Sequence, residues 1–438
     1  MQNITLTTDQ EAALTAINKF LLDPIETVFV LRGYSGCGKS TLVREVVKGM
    51  PAFLQSNKLI HPDLKEFELM LTATTNKAAE NLASITGMDV RTIHSFLGLR
   101  VHSDYRNNTT QLIPATTEIL EDYLIFIDEA SYIDSQLLKI IFEKVRKCKI
   151  IFVGDPAQLV QVKAKDAPAF KINYAGAALT QVVRQAKDNP IIDLSVKFRR
   201  TVNTGEFFQF APDGEYVQHL NRSDFIQKII SEVSKPQWKY TDSKVLTWTN
   251  KCAITFNDLI RASTKGNHRF HPGEYALCNS YTETVVANGT NLSGTGRRSV
   301  KKQGIRADSL LQILKISRDY DRHDVMGNTF TLKPNDADDS FAIFMPHKRE
   351  DRAARIKLAR ADGSSRSMDI IEEIERHWID LRAAYAQTIN KSQGSTYDQV
   401  FIDLDDVSKC RNPNQLARML YVAVSRARTR VYFTGDFK

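Results

Sequence analysis

Val28-Phe29-Val30-Leu31 is a short apolar run that leads into Gly33-Tyr34-Ser35-Gly36-Cys37-Gly38-Lys39-Ser40-Thr41, and a helical pattern opens directly behind it. Few folds put a buried strand, a glycine-rich turn and a helix in that order. A parallel α/β sheet does so, and it places ligands at the carboxyl ends of its strands. Leu69-Met70-Leu71, Leu124-Ile125-Phe126-Ile127 and Ile150-Ile151-Phe152-Val153 repeat the theme: apolar runs too short for helices, each followed by small or polar residues. The expected fold class is therefore α/β with a parallel sheet over roughly the first 195 residues.

The turn from Gly33 to Thr41 fits G-x-x-x-x-G-K-[ST] in the context that pattern requires. Glycines let successive backbone N–H groups point at phosphate oxygens, and the helix N-terminus adds partial positive charge. Lys39 is placed to reach the β- and γ-phosphates of ATP, and Ser40 to ligand Mg²⁺. The run 124–127 ends in Asp128-Glu129, which puts one carboxylate on the metal and one beside the attacking water. We assign Asp128 to the metal and Glu129 to the water. The residues thus describe a nucleotide hydrolase before they say what hydrolysis drives.

Bulk composition narrows the rest. With 438 residues the chain is too long for one ordinary core. Lys plus Arg (59) exceeds Asp plus Glu (51), a net charge of +8 that suits a polyanionic partner without proving one. The five cysteines, Cys37, Cys148, Cys252, Cys278 and Cys410, are far apart and form no C-x-x-C pair, which argues for a reducing cytosol over disulfides or zinc. The N-terminus lacks the basic and apolar regions of a signal peptide. No run of about 18 apolar residues is present. A cytoplasmic location is expected.

The pattern lapses into a polar stretch, His102 to Thr110, which reads as a hairpin inserted at about 97–118 with Asn107-Asn108 near its tip. A second α/β segment starts near Ser195, with Lys244 to Trp248 as one strand. It breaks off at about Phe270 and resumes with Ala384-Tyr385-Ala386 and Val400 to Asp403. The intervening stretch, Gly/Asn/Ser-rich and basic from Asn288 to Lys302, reads as a small inserted β domain.

Further motifs carry a resemblance. Val153-Gly154-Asp155-Pro156-Ala157-Gln158 has the G-D-x-x-Q form of the third motif of superfamily 1 helicases, in which Gln158 senses the γ-phosphate. Leu6-Thr7-Thr8-Asp9-Gln10 resembles their glutamine motif, in which Gln10 reads the adenine edge. Ala73 to Ala79 and Arg91-Thr92-Ile93-His94-Ser95-Phe96-Leu97 resemble the next motifs of the RecD/Dda branch. So do Leu179-Thr180-Gln181-Val182-Val183-Arg184, Trp248-Thr249-Asn250-Lys251, Thr388 to Thr396 with Gly394, and Leu420 to Arg428. The fifth motif departs from T-x-H-K: Asn390 stands where histidine is usual, able to hydrogen-bond but not to stack or carry a proton.

The resemblance implies two RecA-like parallel-sheet motor domains, at 1–195 and at 196–270 with 377–438, and an SH3-like accessory domain at 271–376. It implies an ATP-dependent helicase that moves 5′ to 3′ along single-stranded DNA, with Arg184 and Arg426 reaching the γ-phosphate. It also implies a pin at the 97–118 hairpin and action as a monomer on fork DNA, in phage replication or recombination, with a single-strand-binding protein or replisome component as a candidate partner. The DNA-facing set comprises Thr74, Asn76, Lys77, Thr92, Ser95, Thr249, Asn250, Asn390, Lys391 and Ser392 for phosphates, and His94, Phe96 and Trp248 for base faces.

Plainer readings stand beside these. Arg426 has Arg428 and Arg430 for neighbours and could be a surface ion pair. Phe96 and Trp248 could be core residues, and Thr92 and Ser95 helix caps. Arg297-Arg298 and Lys301-Lys302 read first as a solvated loop. A P-loop switch without translocation would not need the later motifs, and a vestigial ATPase would not need Glu129, Gln158 and both arginines. RNA in place of DNA stays open, since contacts to phosphates and base faces do not separate them.

Overall fold

The structure is a computed structural model that describes residues 5–62, 64–104, 109–160, 167–171, 173–183, 189–209, 211–266, 269–287, 300–334 and 339–436. The chain forms two compact units, Met1–Arg100 with Leu112–Ala253 and Gln387–Lys438, and Val101–Gln111 with Ile254–Ala386.

The first unit holds two parallel sheets. In one, the strands run in the order Ala175–Leu179, Val28–Gly33, Lys149–Gly154, Tyr123–Asp128, Glu68–Ala73, Arg91–Thr92, all parallel. Every residue of Lys149–Gly154 is buried, as a strand flanked by neighbours and covered on both faces must be. The four apolar runs picked out in the sequence are its central strands. The edge strand Ala175–Leu179, of sequence AGAAL, was not anticipated: small residues have little β-propensity, and pairing with Val28–Gly33 supplies what the side chains do not.

The other sheet orders Val217–His219, Ala427–Thr434, Tyr397–Asp403, Ser243–Thr247, Ala386–Thr388. Its core is built on Pro413–Ser425, a helix in which every residue from Ala417 to Ser425 is buried, packed against the helix Pro190–Thr204. Asn412 caps the first helix and Asn189 the second, each accepting a backbone N–H through its side chain. Both sheets are thus wound as the α/β expectation requires.

The second unit is built on an antiparallel sheet ordered Tyr320–Arg322, Val325–Pro334, Leu310–Ile316, Tyr275–Cys278, Leu381–Arg382, with Phe341–Pro346 also paired to Val325–Pro334. It differs from the small β domain expected at 271–376 in two ways. Two helices, Arg349–Asp362 and Ser365–His377, pack on each other within it. Its sheet also runs past 376, because Leu381–Arg382 pairs with Tyr275–Cys278 and the fully buried Trp378 lies beside Phe344. Leu99–Asp104 and Thr109–Pro114 pair as a separate two-stranded ribbon where a hairpin was expected; Tyr105, Asn107 and Asn108 lie outside the described residues, as do Arg297 and Arg298. No helix among the described residues is long and apolar enough to cross a membrane.

Lys149 ties the first helix, Thr8–Leu22, to the first sheet. Its buried amine donates to the carbonyls of Phe20 (2.9 Å), Asp23 (2.7 Å) and Glu26 (2.7 Å) and sits 4.4 Å from the Phe20 ring centre. Two of these carbonyls, of Phe20 and Asp23, belong to the helix end, where carbonyls run short of partners within the helix. Lys149→Met keeps the stem and removes all three donors. It is expected to cost about 2–4 kcal/mol of stability, seen as a lower urea midpoint at unchanged m-value; an unchanged midpoint would contradict this account.

Candidate functional site

The turn after Val28–Gly33 is fixed by its glycines. A Cβ on Gly33 would lie 2.6 Å from Cys37 Sγ, and Gly38 adopts φ +79° as the residue before the helix Lys39–Lys58, where a side chain would strain the backbone. Lys39 donates from Nζ to the carbonyls of Gly33 and Tyr34, both at 2.9 Å. The Ser40 hydroxyl hydrogen-bonds Asp128, at the end of the strand Tyr123–Asp128. Burial, and then the neighbouring charge of Glu129, push the Asp128 carboxyl up to about 7. Glu129 has φ +53°, a positive value rare for a residue with a side chain, and donates its N–H to Asp128 Oδ1 at 2.8 Å. Its Oε2 is buried with no hydrogen-bond partner.

These groups line a cleft of about 260 Å³ whose walls also include Ser35, Gly36, Gly38, Thr41, Ala78, Asn81, Ile85, Gln158, Val183, Gly394 and Arg426. Elements of both parallel sheets therefore close on one space. Arg426 follows the helix Pro413–Ser425 and is 2% exposed. Its guanidinium donates to Ser35 Oγ (2.9 Å), Ser425 Oγ (3.1 Å), Ser395 O (3.2 Å) and Val422 O (3.2 Å). Buried and bonded to neutral oxygens, it makes no surface ion pair among the described residues. Gln158, 2% exposed, accepts from Gln393 Nε2 at 2.8 Å.

One expected nucleotide contact reads differently. Gln10 is 3% exposed, and its amide is engaged: Oε1 accepts from Thr7 N–H (3.0 Å) in a capping box, and Nε2 donates to Cys37 O (3.1 Å). In this conformation it braces the phosphate loop and does not face the cleft. Arg184 lies outside the described residues. The segment before it is clamped, Val183 N–H donating to Gly36 O (2.9 Å) and Asp9 accepting from the N–H groups of Thr180 (2.8 Å) and Gln181 (3.2 Å).

The DNA-facing set divides. Ser392 is fully buried and donates its hydroxyl to Ile389 O at 2.7 Å, so its expected phosphate contact is corrected to an internal bond. Thr92 caps Ile93–Phe96 by accepting from Ser95 N–H (3.2 Å), which is the plainer reading. Thr249 gives its hydroxyl (2.8 Å) and its N–H (2.8 Å) to Asp406, which also accepts from Trp248 N–H (2.9 Å). Trp248 packs on the second core, and Phe96 packs on the first, edge-on to Tyr123 at 5.4 Å. Burial pushes the His94 imidazole below its ordinary range. Thr74 donates to Glu129 O at 2.9 Å, joining this segment to the backbone of Glu129. Asn76 and Lys77 open the helix Asn76–Thr86, Lys77 pairing with Glu80 at 3.3 Å. Asn250 opens the helix Asn250–Lys265, and the backbone carbonyl of Asn390 accepts from Tyr132 Oη at 3.1 Å. Ser95 is exposed and Lys391 half-buried.

The AAA domain family matches residues 5–228, half the chain, and the UvrD-like helicase C-terminal domain matches 383–434. The chain belongs to the superfamily 1 helicases of the Pif1/RecD/Dda type. As such it is an ATP-dependent DNA helicase, hence an ATP hydrolase. It is similar along its length to the ATP-dependent DNA helicase dda of Enterobacteria phage T4, 21% identical over 98% of this chain and 99% of that one. It is likewise similar to the ATP-dependent DNA helicase Pif1 of Bdellovibrio bacteriovorus, 25% identical over 98% and 87%. A solved structure of two Pif1 helicases at forked duplex DNA shares the fold, with a TM-score of 0.51 at 17% identity, covering 100% and 93% of the two chains.

Sequence reasoning missed several residues of this helicase that meet around the cleft. Tyr421 donates to Asp155 and accepts from Ser35 N–H (2.9 Å). Arg199 donates to Asp155 at 3.1 Å. Arg418 donates to the carbonyls of Pro156 (2.6 Å) and Gln158 (2.7 Å). Tyr421 sits inside a quoted motif, and the apolar run around it was the available signal that its ring is buried; nothing local marks Arg199 or Arg418.

The Asp128 carboxyl sets a pH dependence. Folded, it holds its proton up to about 7; unfolded, it releases it near the ordinary value of about 4. Between those values the folded chain binds the extra proton, so this group's contribution falls as pH rises through the window and stays low above it. Asp128→Asn is expected to be more stable than wild type at pH 8, with the gap closing toward pH 4 in urea titrations. A gap independent of pH would contradict the assignment.

Proposed function

We propose that this helicase hydrolyses ATP with Mg²⁺ to move 5′ to 3′ along single-stranded DNA, opening duplex at forks during phage replication or recombination. The observation that carries the reading is Arg426. A buried guanidinium whose partners among the described residues are all neutral oxygens is costly, and it faces the cleft that holds Lys39. A phosphate there completes it.

The remaining roles follow from the geometry. Lys39 has three N–H donors, two of them on loop carbonyls, and the third serves the β- and γ-phosphates. Ser40 and Asp128 offer adjacent oxygens of the hard kind Mg²⁺ prefers. A bound cation supplies charge neutralisation on the phosphate oxygens. The unpartnered Glu129 Oε2 is placed to orient the attacking water, and Gln158 to report on the γ-phosphate. Arg184 joins Arg426 as the second cation on the transferring phosphoryl group. Asn76, Lys77, Ser95, Asn250, Asn390 and Lys391 hold the strand's phosphates, with His94, Phe96 and Trp248 against its bases. The ribbon Leu99–Asp104 with Thr109–Pro114 acts as the pin. Similarity to a phage helicase along nearly the full length supports the setting, and a related fold solved with ADP-AlF3 and single-stranded DNA (TM-score 0.50, 17% identity) agrees with the mode of binding.

Direction is set by which lobe releases the strand first as the cleft closes and opens. The RecD/Dda form of the motifs at Thr92–Ser95 and Leu179–Arg184 supports 5′ to 3′. Partial duplexes with one labelled strand test it: unwinding is expected from a 5′ overhang and to be at least about tenfold slower from a 3′ overhang. The reverse preference overturns the polarity and the branch it rests on.

A further inference from the structure

Arg426 and Tyr421 stand five residues apart at the end of one buried helix, and both reach the same residue of the phosphate loop. Arg426 donates to the Ser35 hydroxyl at 2.9 Å, while the Tyr421 phenol accepts the Ser35 backbone N–H at 2.9 Å. The phenol's own proton goes to Asp155, which is fully buried at the end of the strand Lys149–Gly154. Asp155 is itself fixed, accepting from Arg199 at 3.1 Å and from Ala157 N–H at 3.0 Å. The Arg199 guanidinium carbon lies 3.8 Å from the Tyr34 ring centre.

Residues 34 and 35 of the loop are therefore gripped together, one through Arg199 and one through Tyr421, with Asp155 as the common anchor. Tyr421 is 1% exposed, so water does not substitute for either of its bonds. Burial and the Asp155 charge hold the phenol well above its ordinary range, which keeps it a donor at any working pH.

We infer that Tyr421 is a positioning residue for hydrolysis: by bonding Ser35 and Asp155 at once it sets the register of its helix end on the phosphate loop, and so the reach of Arg426 into the cleft. The inference rests on the role given to Arg426 above. A phenylalanine keeps the ring and the packing but leaves the Ser35 N–H and an Asp155 oxygen each without that partner. The helix end then loses its stop, and Arg426 samples positions short of the phosphate. Ground-state binding does not depend on that reach, because the loop amides and Lys39 remain. Transition-state stabilisation does depend on it.

Tyr421→Phe, Arg426→Ala and the double variant test this in steady-state ATP hydrolysis with saturating oligo-dT. Y421F is expected to lower kcat roughly tenfold with KM for ATP within about twofold, at unchanged affinity for fluorescent ADP. The double variant is expected to be no slower than R426A within about twofold, because the tyrosine acts through the arginine. Wild-type kcat in Y421F, or multiplicative losses in the double variant, overturns the inference. If R426A alone keeps wild-type kcat, the arginine's role fails first, and that outcome is distinct from an impaired R426A beside an unimpaired Y421F. Should Y421F not yield folded protein, Asp155→Asn weakens the same contact at nearly constant shape and is expected to show the same split; an unchanged kcat there overturns the inference as well.

Discussion

A guanidinium buried to 2% exposure, with four neutral partners among the described residues, is the constraint around which the nucleotide cleft is organised. Arg426 cannot return to water without unpacking a helix whose last nine residues are all buried, and its hydrogen-bond partners among the described residues are neutral oxygens. Its charge therefore acts across the cleft, on the loop that carries Lys39 and on whatever anion that loop holds. Most other polar contacts at this boundary serve the same alignment. Arg418 fixes the carbonyls of Pro156 and Gln158, Gln393 holds the Gln158 side chain, and Asn81 bonds the Gly394 carbonyl. Each joins a residue near the first sheet to one near the second. A change at the phosphate loop thus has hydrogen bonds through which to reach both sheets.

Much of this was legible from the chain because it follows from local pattern. The strands at 28–33, 68–73, 123–128 and 149–154 each contain a continuous apolar run, and the phosphate loop needs its glycines for steric reasons visible in sequence. What stayed hidden is what depends on partners distant in the chain. Ala175–Leu179 becomes a strand only because Val28–Gly33 is there to pair with it. Leu381–Arg382 joins the accessory sheet through Tyr275–Cys278, about a hundred residues earlier, which no window of local sequence contains. The helices Arg349–Asp362 and Ser365–His377 lie in a stretch where short β-like runs such as Thr329-Phe330-Thr331-Leu332 favoured a β reading.

The site shows the same division. Residue type at a spaced position identified Lys39, Ser40, Asp128, Glu129, Gln158 and Arg426, and all of them line or adjoin one cleft. Residue type did not reveal whether a hydroxyl or amide was free. Gln10, Thr92 and Ser392 each satisfy a nearby backbone group, which short polar side chains do readily. Asp406 illustrates the converse: outside every quoted motif, it receives three bonds from Trp248 and Thr249 and so shapes the loop on which strand contacts were expected.

The nucleotide cleft is bonded to two segments on which strand contacts are expected, through Thr74 to Glu129 O on one side and through Gln393 to Gln158 on the other. The most direct measurement is the steady-state rate of ATP hydrolysis by the full chain with Mg²⁺, with and without a saturating oligo-dT strand. If hydrolysis is coupled to the strand through these bonds, the strand raises kcat by about tenfold or more. An equal rate with and without the strand would contradict it.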